Sequence, residues 1–165
     1  MKHILSILVK NESGALSRIA GLFSARGYNI ESLTVAITDD KNMSRMTIVT
    51  SGTEKIIEQI VKQLNKLIEV VELINLYDHD SIERELMFLK VKINASTLNN
   101  TKQIVDIFRG RILDFTDSAL IIELTGSSRK MNSFIQAMNK QNILEVVRTG
   151  VNGIARGTSH LQTNN

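Results

Sequence analysis

The chain carries the same pattern twice. The stretch TIVTSGTEK (Thr47 to Lys55) lines up with IIELTGSSR (Ile121 to Arg129), and LIEVVE (Leu67 to Glu72) with ILEVVR (Ile143 to Arg148). The two matches differ in offset by about two residues, which a loop absorbs. The 165 residues must therefore hold two tandem units of about 75 residues each. Units that small bury a limited share of their surface, so pairing between units or between chains is expected.

Hydrophobic periodicity sets the elements within each unit. Lys2 to Val9 reads as a strand buried on both faces. After the polar corner Asn11-Glu12-Ser13-Gly14, Leu16, Ile19, Ala20 and Phe23 fall at i, i+3, i+4 and i+7, one face of a helix. Gly27 ends that helix, as a residue able to take the left-handed conformation. Asn29 to Thr38 is a strand rich in β-branched residues, TDDKN a polar turn, and Ser44 to Ser51 a further strand. Thr53 caps a second helix whose apolar face is Ile56, Ile57, Ile60, Val61 and Leu64. Ile68 to Leu76 closes the unit. The order βαββαβ is the ferredoxin-like arrangement of the α+β class, an antiparallel sheet with two helices on one face. Its second strand lies at a sheet edge and its first in the interior.

The second unit repeats this order. Arg84 to Ile93 is a strand, Ile104, Val105, Ile107 and Phe108 a helical face, and Arg111 to Phe115 and Leu120 to Leu124 short strands. Met131, Phe134, Ile135 and Met138 form another helical face, and Ile143 to Arg148 the last strand. The polar stretch YDHDS (Tyr77 to Ser81) marks the boundary. The division is residues 1–77, a linker at 78–83, a second domain at 84–158, and a frayed tail at 159–165. The glycines of TGVNGIARGTSH read as a looped, partly ordered end.

Several function classes are disfavoured. There is no cysteine, so no disulfide or thiolate chemistry is possible, which fits a reducing compartment such as the cytoplasm. The N-terminal MKHILSILVK reads as a first strand and not as a signal peptide, and no apolar run spans a bilayer. The 20 basic and 17 acidic residues are interspersed, without the basic stripe that nucleic acid requires. An RNA-binding variant of this fold stacks bases on central-strand aromatics, and Ile4 to Val9 and Ser44 to Ser51 have none. His3, His79 and His160 are expected as solvated surface residues without metal-ligand spacing. Glu54, Glu58, Glu69 and Glu72 are expected on exposed faces. No nucleophile elbow, phosphate loop or convergent acid pair marks an active site.

What remains is recognition. A strand running into Asn11–Gly14 and then a helix points backbone N–H groups out of a partially positive helix start, which suits a carboxylate. Asn11 or Ser13 as a simple cap, and Gly14 as a simple tight turn, explain the same residues. The second corner, Gly27 to Ile30, enters the edge strand, where a second copy can pair. A two-fold dimer joined there brings Asn29 of one chain toward Asn11 of the other. The Asn29 amide then holds an α-ammonium while the helix start takes the α-carboxylate. Ile30 or Leu33 offers an aliphatic pocket.

The segment NESGALSRIAGLFSARGYNIESL resembles the opening of an ACT domain, and more narrowly the regulatory small subunit of acetolactate synthase (acetohydroxyacid synthase). SRMTIV, QLNKLIEV, ERELMFLKV, IFRGRILDFT and RTGVNGIARG extend the likeness over nearly the whole chain. The resemblance implies an ACT domain followed by an ACT-like domain, in a non-catalytic homodimer paired through the ACT domain. It implies a partner, the catalytic large subunit, which holds thiamine diphosphate, magnesium and FAD; the small subunit has no cofactor of its own. It implies activation of that enzyme and feedback inhibition by valine in branched-chain amino-acid biosynthesis. Carried over residue by residue, the effector site is Asn11, Gly14, Ala15 and Leu16 with Asn29 and Ile30, and Ser17 on the first helical turn. Asn152 departs from the small or apolar residue expected in the tail motif. The alternative is a stand-alone ACT-type amino-acid sensor acting on another partner. A transcriptional regulator of that kind needs a helix-turn-helix segment, for which two successive units leave no room.

Overall fold

The computed structural model describes residues 1–138 and 140–161. The last part of the expected tail, 162–165, lies outside them. The chain divides into two units, Met1–Ile82 together with the segment from Val151 onward, and Glu83–Gly150.

In the first unit β1 (Lys2–Lys10), α1 (Ala15–Ala25), β2 (Ser32–Ile37), β3 (Met43–Ser51), α2 (Glu54–Leu64) and β4 (Val70–Asn75) follow the expected order. The sheet runs β2-β3-β1-β4 with every pair antiparallel, so β2 is an edge and β1 interior. Leu5, Ile7 and Val9 of β1 and Met46 and Ile48 of β3 alternate toward the helices, where Ile19, Leu22, Phe23, Ile57, Ile60 and Leu64 meet them. Thr53 caps α2, its side chain accepting from the Ile56 amide. The buried face of α1 is Ala15, Ile19, Leu22 and Phe23. It is rotated from the one expected, because Leu16 stands 45% exposed while Ala15 tucks under the first turn.

In the second unit β5 (Ser81–Lys92), α3 (Leu98–Ile107), β6 (Arg111–Phe115), β7 (Ala119–Gly126), α4 (Ser128–Ala137) and β8 (Ile143–Arg148) repeat the plan. The antiparallel order is β6-β7-β5-β8. Met87, Leu89, Val91, Leu120, Ile122 and Leu124 pack on Val105, Met131 and Phe134. Ile107, expected in the face of α3, is 76% exposed; the buried positions of that helix are Thr101 and Val105. One buried charge sits here. Glu85 is 4% exposed and accepts from Arg148 Nε at 2.5 Å and Nη2 at 2.8 Å. Ser128 Oγ adds a bond at 3.0 Å, and Asn132 Oδ1 accepts from Arg148 Nη1 at 2.9 Å. Hydrogen bonding to Glu85 holds the Arg148 guanidinium above its ordinary pKa despite partial burial.

By its contacts the segment from Val151 onward groups with the first unit, and two expectations about single residues and segments are corrected. The supposed looped end contains a strand, β9 (Asn152–Ala155), which pairs with β5 and packs on the face of the first sheet away from the helices. Val151 and Ala155 bury Ile4, Val49 and Leu76 there, and Thr34 Oγ1 donates to Asn152 Oδ1 at 2.9 Å. Gly153 lies so close that a Cβ would overlap Leu76 Cδ1. An apolar back face that would otherwise meet water explains the return of the chain. The linker 78–83 is short, a 3₁₀ turn at Leu76–Asp78 leading into β5 at Ser81. His3 is no surface residue: it is 3% exposed, with its ring centroid 4.7 Å from that of Tyr77, because an interior strand begins beneath the turn carrying Tyr77.

Candidate effector site

The loop between β1 and α1 is held by hydrogen bonds and leads into open amides at the helix start. Asn11 is committed to the neighbouring turn: its amide N donates to Asn42 O at 2.7 Å and Nδ2 to Lys41 O at 2.9 Å. Asn11 Oδ1 accepts from Ser44 Oγ at 3.2 Å. Its side chain anchors the loop and does not cap the helix. The cap position is Gly14 at φ 88, with no side-chain cap. That left-handed conformation is cheap only for glycine. The Ala15 amide reaches Glu12 O at 3.2 Å, which leaves Leu16 and Ser17 as the amide donors of the first turn without an internal acceptor. Ser17 is exposed, Ala15 buried, and Leu16 projects outward.

A cation stands beside these donors. The Arg18 guanidinium lies 4.0 Å from where a Gly14 Cβ would sit and pairs with Glu69. Glu69 was expected on an exposed face, yet it is 2% exposed. The turn between α2 and β4 folds it under Arg18, and its carbonyl accepts from Lys10 N at 2.8 Å. Neither residue belonged to the expected site. An acid followed by a β-branched run gives no hint of burial, because the burial comes from a helix about 50 residues earlier in the chain.

The second corner lies at the other end of α1. Gly27 takes φ 68, Asn29 O accepts from Thr50 Oγ1 at 2.7 Å, and Ile30 packs on the first core. The Asn29 side chain is exposed and β2 begins only at Ser32. The eleven residues of α1 separate the two corners by about 16 Å at 1.5 Å per residue. One chain therefore groups Asn11, Gly14, Ala15, Leu16 and Ser17, and groups Asn29 with Ile30, but does not bring the groups together. The edge strand between them and solvent carries exposed Val35 and Ile37, apolar groups a lone edge does not usually present.

The equivalent loop of the second unit is ordered by Asn94. Asn94 Oδ1 accepts from the Ser96 and Thr97 amides at 3.0 Å each, and Asn94 O from the Leu98 amide at 3.0 Å. The two side-chain bonds satisfy amides that precede α3, whose N-cap Thr97 likewise has no side-chain cap.

Comparison with known proteins matches each half of the chain to a family model. Residues 5–72 match the model of the AHAS small subunit-like ACT domain, and residues 84–157 that of the small subunit of acetolactate synthase. The acetolactate synthase small subunit of Buchnera aphidicola subsp. Schizaphis graminum is 51% identical over 95% of this chain and 100% of its own length. The chain belongs to the acetolactate synthase small-subunit family. The isozyme 3 small subunit of Escherichia coli is 49% identical over 95% of this chain and 97% of its own. The crystal structure of the small subunit from Thermotoga maritima superimposes with a TM-score of 0.88 at 36% identity, covering 96% of this chain and 99% of that one. Membership in this family makes the chain a regulatory subunit of that enzyme, partnered with its catalytic large subunit. Among the described residues no cluster of His, Asp and Glu has metal-binding geometry, and no helix is long and apolar enough to cross a membrane.

Proposed function

We propose that this small subunit activates its large subunit and makes it sensitive to valine through an effector site closed between two copies of the first unit. The chain itself does no chemistry, and thiamine diphosphate, magnesium and FAD belong to the large subunit. The observation that carries the reading is the helix start at Gly14, which has no side-chain cap and has the Arg18 guanidinium beside it. The Leu16 and Ser17 amides and the helix dipole take the α-carboxylate. The exposed Asn29 amide of the second copy accepts from the α-ammonium. Leu16 with the second copy's Ile30 lines the place of the aliphatic side chain. Pairing along β2 covers Val35 and Ile37 and supplies the second copy. The partition between water and this site favours a small branched aliphatic chain, worth about 0.8 kcal/mol per buried methylene. Mixing the purified chain with an acetolactate synthase large subunit, and assaying activity with and without valine, tests the reading. Higher activity that valine suppresses is expected; activity indifferent to the small subunit or to valine overturns it.

A further inference from the structure

The internal repeat supplies a template for an interface on the second unit. Ile4 pairs with Val49, three residues before Gly52, and Phe88 pairs with Glu123, three residues before Gly126. Both glycines lead into a capped helix, at Thr53 and Ser127. Ile4 and Phe88 thus hold the same place on the two sheets, on the face away from the helices. In the first unit β9, a strand paired with β5, packs against that face. Val151 and Ala155 enter the cluster with Ile4, Val49 and Leu76, and Gly153 lets the backbone approach.

In the second unit the same face is bare. Phe88 is 37% exposed, Leu113 51% and Val147 50%. With Ile121 they line an apolar groove of about 310 Å³. Lys90 and Glu145 line it as an ion pair at 3.1 Å, as does the exposed residue Asp114. Exposed apolar surface of this kind on a small domain marks a docking site.

We infer that this groove receives an extended segment of the catalytic large subunit, packed on the sheet face as β9 packs on the first. The segment carries small or β-branched side chains on alternate residues with glycine between, and a cation that meets Asp114, as Arg156 after β9 meets Asp80 at 3.4 Å. Lys90 and Glu145 neutralise each other, so Asp114 sets the sign of the groove. A second copy of this chain fits less well, since it would bring groove against groove with no ridge to fill either. The inference rests on the proposed pairing with a large subunit.

Val147→Lys and Leu113→Lys test it in the full chain with an acetolactate synthase large subunit, by titration and by sedimentation. Both positions are half exposed, so melting temperature should stay unchanged while affinity for the large subunit falls at least about tenfold. Val147→Ala and Leu113→Ala, which add no charge, should each weaken binding about threefold or more. Affinity within twofold of wild type in all four variants overturns the surface. So does a halving of the mass of the free lysine variants, which would assign the groove to a second copy. Wild-type chain that fails to bind the large subunit overturns the functional reading first, and the occupant with it.

Discussion

Gly14 offers a substitution whose structural and functional costs can be separated. At φ 88 any Cβ costs about 1–2 kcal/mol of backbone strain. The site has room: the nearest atom to an added Cβ is Arg18 Nη2 at 4.0 Å, ordinary van der Waals contact. Gly14→Ala should therefore lower the melting temperature by roughly 4–8 °C per kcal/mol for a domain of this size, and reduce valine affinity only slightly. Gly14→Asp pays less strain, because Asp tolerates the left-handed region better. Its carboxylate, however, lands beside the Leu16 and Ser17 amides and the Arg18 guanidinium, where the ligand carboxylate is to bind. Losing charge-assisted hydrogen bonds of about 1.5–3 kcal/mol weakens valine roughly 10- to 150-fold. Calorimetric titration of valine and thermal unfolding of both variants give the comparison. Equal valine affinities for Gly14→Asp and Gly14→Ala would refute the assignment of the carboxylate to this helix start.

Four further outcomes follow from the structure. Asn29→His should abolish valine inhibition of the reconstituted enzyme with little change in melting temperature, since the Asn29 side chain is exposed; retained inhibition would remove Asn29 from the site. Val35→Lys with Ile37→Lys on the edge strand should shift the chain from dimer to monomer in sedimentation and lose valine binding with it. Arg148→Met leaves Glu85 charged and buried, and should destabilise the second unit by about 3–5 kcal/mol, while Arg148→Met with Glu85→Leu recovers most of that in denaturant titrations. Gly153→Ala should cost about 1–3 kcal/mol in the first unit, because the added methyl overlaps Leu76.

The elements were legible because each depends on local periodicity. Ile57, Ile60 and Leu64 repeat at helical spacing, and the paired segments around Gly52 and Gly126 state the two-unit plan outright. What escaped depends on segments that meet only in three dimensions. Nothing near Val151 announces that it will cover Ile4. Glu69 becomes buried only because Arg18 reaches it from α1, and His3 only because the turn at Tyr77 closes over it. The rotation of α1 that exposes Leu16 is a one-residue choice between Ala15 and Leu16, which apolar spacing alone leaves degenerate. In the candidate site Gly14 and the two corners were readable as turn chemistry. The commitment of Asn11 to Lys41 and Ser44 was not, because those partners sit about 30 residues away.

The claim that the site is shared between two copies is tested most directly by a mixed dimer of Gly14→Asp and Asn29→His chains. Each homodimer has both of its sites damaged. In the mixed dimer both lesions fall in one site, and the other keeps Gly14 from one chain and Asn29 from the second. Native mass spectrometry of the mixed species with valine should show one bound valine per dimer, against none for either variant alone. A mixed dimer that binds none places Gly14 and Asn29 in the same single-chain site and contradicts the account.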